Sequence, residues 1–136
     1  MTPDGTSRSY RLPKQTILRH KRAFEYLFEH GSSFRVGVLK FFYAYDIPEQ
    51  YVQNSISVGF TAPKRVFKQA WQRNRLKRMM REAYRLEQHT LDISSETIPN
   101  PPLAFLIKFQ GYYEADYSRI ASDMRRGLQE LQKRSR

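Results

Sequence analysis

Cysteine is missing altogether from these 136 residues. No disulfide framework and no thiolate metal site can therefore hold the fold, and the absence fits a reducing compartment. No apolar run approaches the ~18 or more residues of a membrane span. The opening stretch, MTPDGTSRSYRLPKQ, carries none of the apolar core that a secretory signal needs. A cytoplasmic protein is the expectation. Acidic residues are scarce: 13 Asp and Glu face 24 Lys and Arg, for a formal net charge of +11. Such a chain attracts polyanions, chiefly nucleic acid, with an affinity that falls as salt rises. An anionic membrane would compete only if a basic helix kept a bulky apolar face free. Here that face is needed for the core, and no membrane partner is expected.

What is present is the material of one folded domain. The chain is 40% hydrophobic and 14% aromatic, enough for a core without staples. Residues 1–12 read as a flexible basic N-terminus, 13–133 as a single domain and 134–136 as a basic tail. Ala23, Phe24, Leu27 and Phe28 recur at helical spacing, predicting a helix from about His20 to Glu29 that Gly31 ends. SSFRVGVLKFFYAYD reads as a short strand near Phe34 and a longer one to Tyr45. In it Leu39, Phe41, Tyr43 and Tyr45 share one face, and Phe42 and Ala44 take the other. IPEQYVQN reads as a connecting loop. In SISVGFTAP, Ile56, Val58 and Phe60 alternate with Ser55, Ser57, Gly59 and Thr61, predicting a strand with one buried face.

A long helix follows from about Gln69 to Gln88, with Leu76, Met79, Met80, Ala83 and Tyr84 as its core stripe. HTLDISSETIPNPP reads as a polar loop, LAFLIKF as a strand. The last helix has Asp116 as N-cap and a stripe of Ile120, Met124, Leu128 and Leu131. The order α-β-β-β-α-β-α implies an α+β sandwich: a small, mostly antiparallel sheet covered by helices.

Enzyme motifs are few. His20, His30 and His89 show no metal-ligand spacing, and Asp46, Asp92, Asp116 and Asp123 form no local carboxylate motif. No glycine-rich phosphate loop or nucleophile elbow occurs. Neither a catalytic residue nor a metal ligand is assigned on this chain.

The densest charge lies in the long helix and the turn before it. From Lys64 to Arg85 there are nine Lys or Arg and one acid, Glu82. At ~100° per residue, Arg73, Lys77 and Arg81 form one row beside Tyr84, whereas Arg75 and Arg78 point nearly opposite the core. Cations in line repel unless an anion neutralises them. A charge run is commonly a solvated helix face, but solvated faces mix signs; this one does not. A polyanion-binding surface is the expectation. The aromatic pairs Phe24 with Phe28 and Phe41 with Tyr43 fit core packing. Core packing is the favoured reading of the pairs alone, but a sheet face that stacks single-stranded bases beside a basic groove would also use them.

QRNRLKRMMREAYR resembles the RNR signature of the bacterial ribonuclease P protein component. FEYLFEHG, SVGFTAPKR and LAFLIKF resemble that family's first helix, the strand leading into its basic turn, and its last strand. The resemblance spans roughly Arg11 to Gln132. It implies a ribonuclease P-like sandwich with a left-handed βαβ crossover, in the protein subunit of the endoribonuclease that removes 5′ leaders from precursor tRNA. The implied partners are the catalytic RNA subunit and precursor tRNA, with hydrolysis carried by the RNA and its Mg²⁺ and a protein that is itself monomeric.

The signature positions are Arg73, Asn74, Arg75, Lys77, Arg78 and Arg81, with Lys64 and Arg65 as the basic pair before them. By the same resemblance Phe24, Phe28, Phe41 and Tyr43 line the leader-binding cleft. Arg73, Lys77 and Arg81 would then meet the leader, and Arg75 and Arg78 the catalytic RNA. Lys108 stands in the last strand without a basic pair after it, and no site residue is carried over there. The alternative is a basic structural nucleic-acid binder of ribosomal or nucleoid-associated type. A stand-alone nuclease would need metal-binding acids that the sequence does not advertise.

Overall fold

The computed structural model describes residues 21–44, 56–88, 103–113 and 115–134. They form α1 (Lys21–His30), β1 (Ser32–Val36), β2 (Leu39–Ala44), β3 (Ile56–Thr61), α2 (Ala70–Glu87), β4 (Leu103–Phe109) and α3 (Tyr117–Arg134). This is the expected order. Readings that fall on residues 1–12, His20, Tyr45, Asp46, Ser55, the Ile56 side chain, His89, Asp92 and the 47–54 and 89–102 loops lie outside the described residues.

Three element boundaries have a local cause. The Gly31 N–H closes α1 on the Leu27 carbonyl at 3.0 Å. A Cβ at Gly31 would stand only 2.6 Å from that oxygen, so the chain can turn there only with glycine. Gly37, at φ 58°, makes the turn between β1 and β2. Asp116 caps α3 as its spacing implied, accepting the Arg119 N–H at 3.0 Å.

The strands lie in the order β1-β2-β4-β3. β1 pairs with β2 and β2 with β4 antiparallel. β3 and β4 run parallel, and α2 lies between them in sequence as the crossover helix. On one face Leu39, Phe41, Val58, Phe105, Ile107 and Phe109 meet the buried stripes of α2 and α3, including all four expected α3 residues. On the other face Ala44, Ala104 and Leu106 meet Ala23 and Leu27 of α1. The sheet therefore has a helix layer on each side. That arrangement corrects the reading of β3: Ser57 and Gly59 are buried as well, and a Cβ at Gly59 would stand 2.6 Å from the Phe24 ring. Small residues let α1 approach the sheet. Arg134, read as the start of a tail, instead closes α3 with its guanidinium 4.7 Å over the Phe34 ring.

Asp123 ties the two-helix layer to the first hairpin. It is fully buried and accepts the Val38 N–H at 3.0 Å and the Arg119 Nε–H at 2.9 Å, with Arg126 on its second oxygen. A side chain at Gly37 would run into this carboxylate.

Candidate nucleic-acid interface

A helix of ten residues is about 15 Å long, and α1 covers only part of its sheet face. Strand register decides what remains beside it, because directly paired residues share a face. One transverse row pairs Ser33 with Phe42, Phe42 with Leu106, and Leu106 with Gly59. Over this row stand two α1 rings: Phe28, 49% exposed, meets Phe42 edge-on at 5.0 Å, and half-buried Phe24 lies over Gly59. The next row pairs Arg35 with Lys40, Lys40 with Lys108, and Lys108 with Thr61. At ~4.8 Å between strands, three cations thus follow one another across ~10 Å of sheet, two residues along each strand from the ring row and on the same face. The Lys40 ammonium sits 5.1 Å from the centre of the Phe42 ring. Beyond Thr61 the chain turns through Pro63 into exposed Lys64 and Arg65. Buried Phe67, packed edge-on against Phe109 at 5.6 Å, anchors that turn.

This geometry corrects two of the residues assigned to the cleft. Phe24 and Phe28 lie together as expected, but Phe41 and Tyr43 are on the opposite sheet face. Phe41 is fully buried, stacked on Phe34 at 5.1 Å and closed over by Gly127 of α3. Tyr43 packs beside Phe34 at 6.0 Å. The strand ring that faces α1 is Phe42. Phe42, Lys40, Lys108 and Arg35, which share this face by register, were not among the residues the sequence pointed to. Alternation had already separated Phe42 from Phe41; it could not say which face α1 takes.

The basic helix lies on the far side of the sheet. Leu76, Met80, Ala83 and Tyr84 are buried and Met79 half-buried, close to the expected stripe. Burial pushes the Tyr84 phenol pKa up, and its ring meets Phe60 of edge strand β3 at 5.9 Å. The flank just past Tyr84 carries Lys77 and Arg81, so both stand along that edge. Arg73, in the same row, is half-buried and spends Nη1 on the Phe67 and Lys68 carbonyls at 2.8 and 2.9 Å. It thereby holds the turn that carries Lys64 and Arg65. Asn74, Arg75 and Arg78 are exposed on the outer side.

The acids nearby are engaged elsewhere. Glu82 is bidentate to Arg85, and that hydrogen bond holds its carboxyl below its ordinary pKa. Glu87 accepts from Arg125 of α3. Among the described residues Lys64, Arg65, Lys77, Arg78 and Arg81 form no ion pair. The protein thus presents rings and cations on one sheet face and a cation-rich helix behind the other. Rings can stack bases, and cations can neutralise phosphates.

The family model described as Ribonuclease P matches residues 12–132. The ribonuclease P protein component of Chlorobaculum tepidum is 41% identical over 85 residues, covering 62% of this chain and 55% of that protein. Its counterpart in Chlorobium phaeobacteroides is 38% identical over 81 residues, 59% of this chain and 56% of that protein. The chain thus spans little more than half the length of these relatives. The solved Staphylococcus aureus RNase P protein shares the fold at a TM-score of 0.62 and 14% identity, over 85% of this chain and 94% of that one.

Proposed function

The chain belongs to the ribonuclease P protein family, and from that membership we propose that it is the protein subunit of a ribonuclease P that removes 5′ leaders from precursor tRNA. The observation that carries the reading is the pairing of two RNA-suited surfaces on opposite sides of one sheet. In the α1-side trough, bases of the single-stranded leader stack against Phe28 and Phe42 at the margin of Phe24, and its phosphates follow Lys40, Lys108 and Arg35. Behind the sheet, Asn74, Arg75 and Arg78 meet the RNA subunit, and Lys64 and Arg65 extend that contact along the turn. Lys77 and Arg81, at the β3 edge, stand where the two surfaces meet.

The protein's part is positioning. Holding the leader and the RNA subunit on two faces of one rigid sheet turns a loose encounter into a fixed geometry. Among the described residues no three His, Asp or Glu side chains gather as a metal set. Mg²⁺, held by RNA, would supply the hydrolytic chemistry. A cytoplasmic monomer that assembles with RNA fits this role, and no described helix is long and apolar enough to cross a membrane.

Reconstitution of the chain with a bacterial ribonuclease P RNA tests the reading. The complex should bind leader-bearing precursor tRNA more tightly than mature tRNA, and the preference should shrink when the protein is left out. Equal affinity for both substrates would favour a structural nucleic-acid binder instead.

A further inference from the structure

Trp71 is the single tryptophan of the chain, and it stands 61% exposed in the first turn of α2. Its indole has no ring-stacking or hydrogen-bond partner among the described residues. It precedes Leu76 by five positions, which turns it ~140° away from the buried stripe. Exposed Asn74 and Arg78, three and seven positions on, share its flank. The helix packs on the sheet face that carries Phe105 and Ile107, whereas α1 packs on the face of Ala104 and Leu106. Trp71 therefore points away from the sheet and its aromatic trough.

A lone exposed apolar residue is ordinary on a protein surface. This one is the largest flat ring a protein can offer, and it is set among cations with no acid in the first turn of its helix. Anionic lipid is the weaker occupant. Interfacial helices present a continuous apolar face, and the apolar stripe of α2 is already buried. Leu86, the other large exposed apolar residue of the helix, is fifteen positions away, about 22 Å along the axis.

We propose that Trp71 is a base-stacking contact for the RNA subunit: its indole takes the face of an unpaired nucleobase while Arg78 meets an adjoining phosphate. The proposal rests on the reading of the chain as a ribonuclease P subunit. It adds an affinity term that does not depend on charge.

Because the chain has one tryptophan, its intrinsic fluorescence reports this residue alone. Titration of the full chain with the RNA subunit should quench that emission, and a short single-stranded leader oligonucleotide should not. Trp71→Ala should weaken RNA-subunit affinity by roughly five- to a hundredfold, the worth of one stacked base. Its salt slope should stay unchanged, because no phosphate contact is lost. Trp71→Phe should recover most of the affinity, and all three proteins should melt alike. Tight assembly with unchanged emission, or with full affinity in Trp71→Ala, would overturn this proposal and leave the proposed function standing. A blue shift on anionic vesicles but not on RNA would overturn it in favour of a lipid surface. Failure of the wild-type chain to bind the RNA subunit at all would sink the functional reading itself, and this one with it.

Discussion

Replacing Asp123 by Asn should loosen the clasp between α3 and the first hairpin. The carboxylate has no accessible surface, and its three donors come from Val38, Arg119 and Arg126. A charged hydrogen bond to a backbone N–H is worth about 1.5–3 kcal/mol. The two arginine side chains are 55% and 59% exposed, so water recovers most of what they lose, and each contributes about 0–1 kcal/mol. The expected loss is roughly 2–4 kcal/mol, or about 6–15 °C in Tm for a chain of this size. Burial alone pushes the Asp123 carboxyl pKa up, but the hydrogen bonds outweigh it and hold the pKa below its ordinary value. A depressed carboxyl pKa adds stability above its unfolded-state value and loses it as pH falls through the folded one. The gap between wild type and Asp123→Asn should therefore be full at pH 7 and close on acidification below about pH 4. Urea unfolding of both proteins from pH 7 to pH 2 measures it. A gap below about 0.5 kcal/mol at pH 7, or one that persists unchanged in acid, would refute the reasoning.

Two further substitutions separate the faces of the structure. Phe41→Ala should cost about 3–5 kcal/mol of stability as a core cavity, whereas Phe42→Ala should melt closer to wild type and lose leader affinity; denaturation and leader binding measured side by side decide it. Lys77→Ala with Arg81→Ala should leave the fold intact and reduce the salt slope of RNA binding by up to about two, read from affinities at several salt concentrations. An unchanged slope would mean that neither cation meets phosphate.

Periodicity placed every described element because each face that packs carries a regular apolar stripe: Ile120, Met124, Leu128 and Leu131 all lie buried where their spacing put them. The cleft was legible only in part, and β2 shows why. With helices on both sides of the sheet, both of its faces are apolar, so alternation splits Phe41 from Phe42 without saying which meets α1. The same two-sided cover hides in β3, where Ser57 and Gly59 read as outward although they are buried. The cationic row of Arg35, Lys40 and Lys108 joins three strands by register, a long-range fact absent from any local stretch. Arg73 looked like one more phosphate contact, and tertiary geometry also commits its Nη1 to two carbonyls.

If two RNAs are held on opposite sides of one sheet, two quantities measured on the same variants test it most directly. These are affinity for the RNA subunit and the precursor-to-mature tRNA binding ratio of the reconstituted complex. Phe28→Ala combined with Phe42→Ala should pull the ratio toward one while subunit affinity stays within about twofold of wild type. Arg78→Ala should weaken subunit affinity and leave the ratio alone, as expected for losing one phosphate contact. Both quantities moving together in both variants would mean a single surface, and would contradict the account.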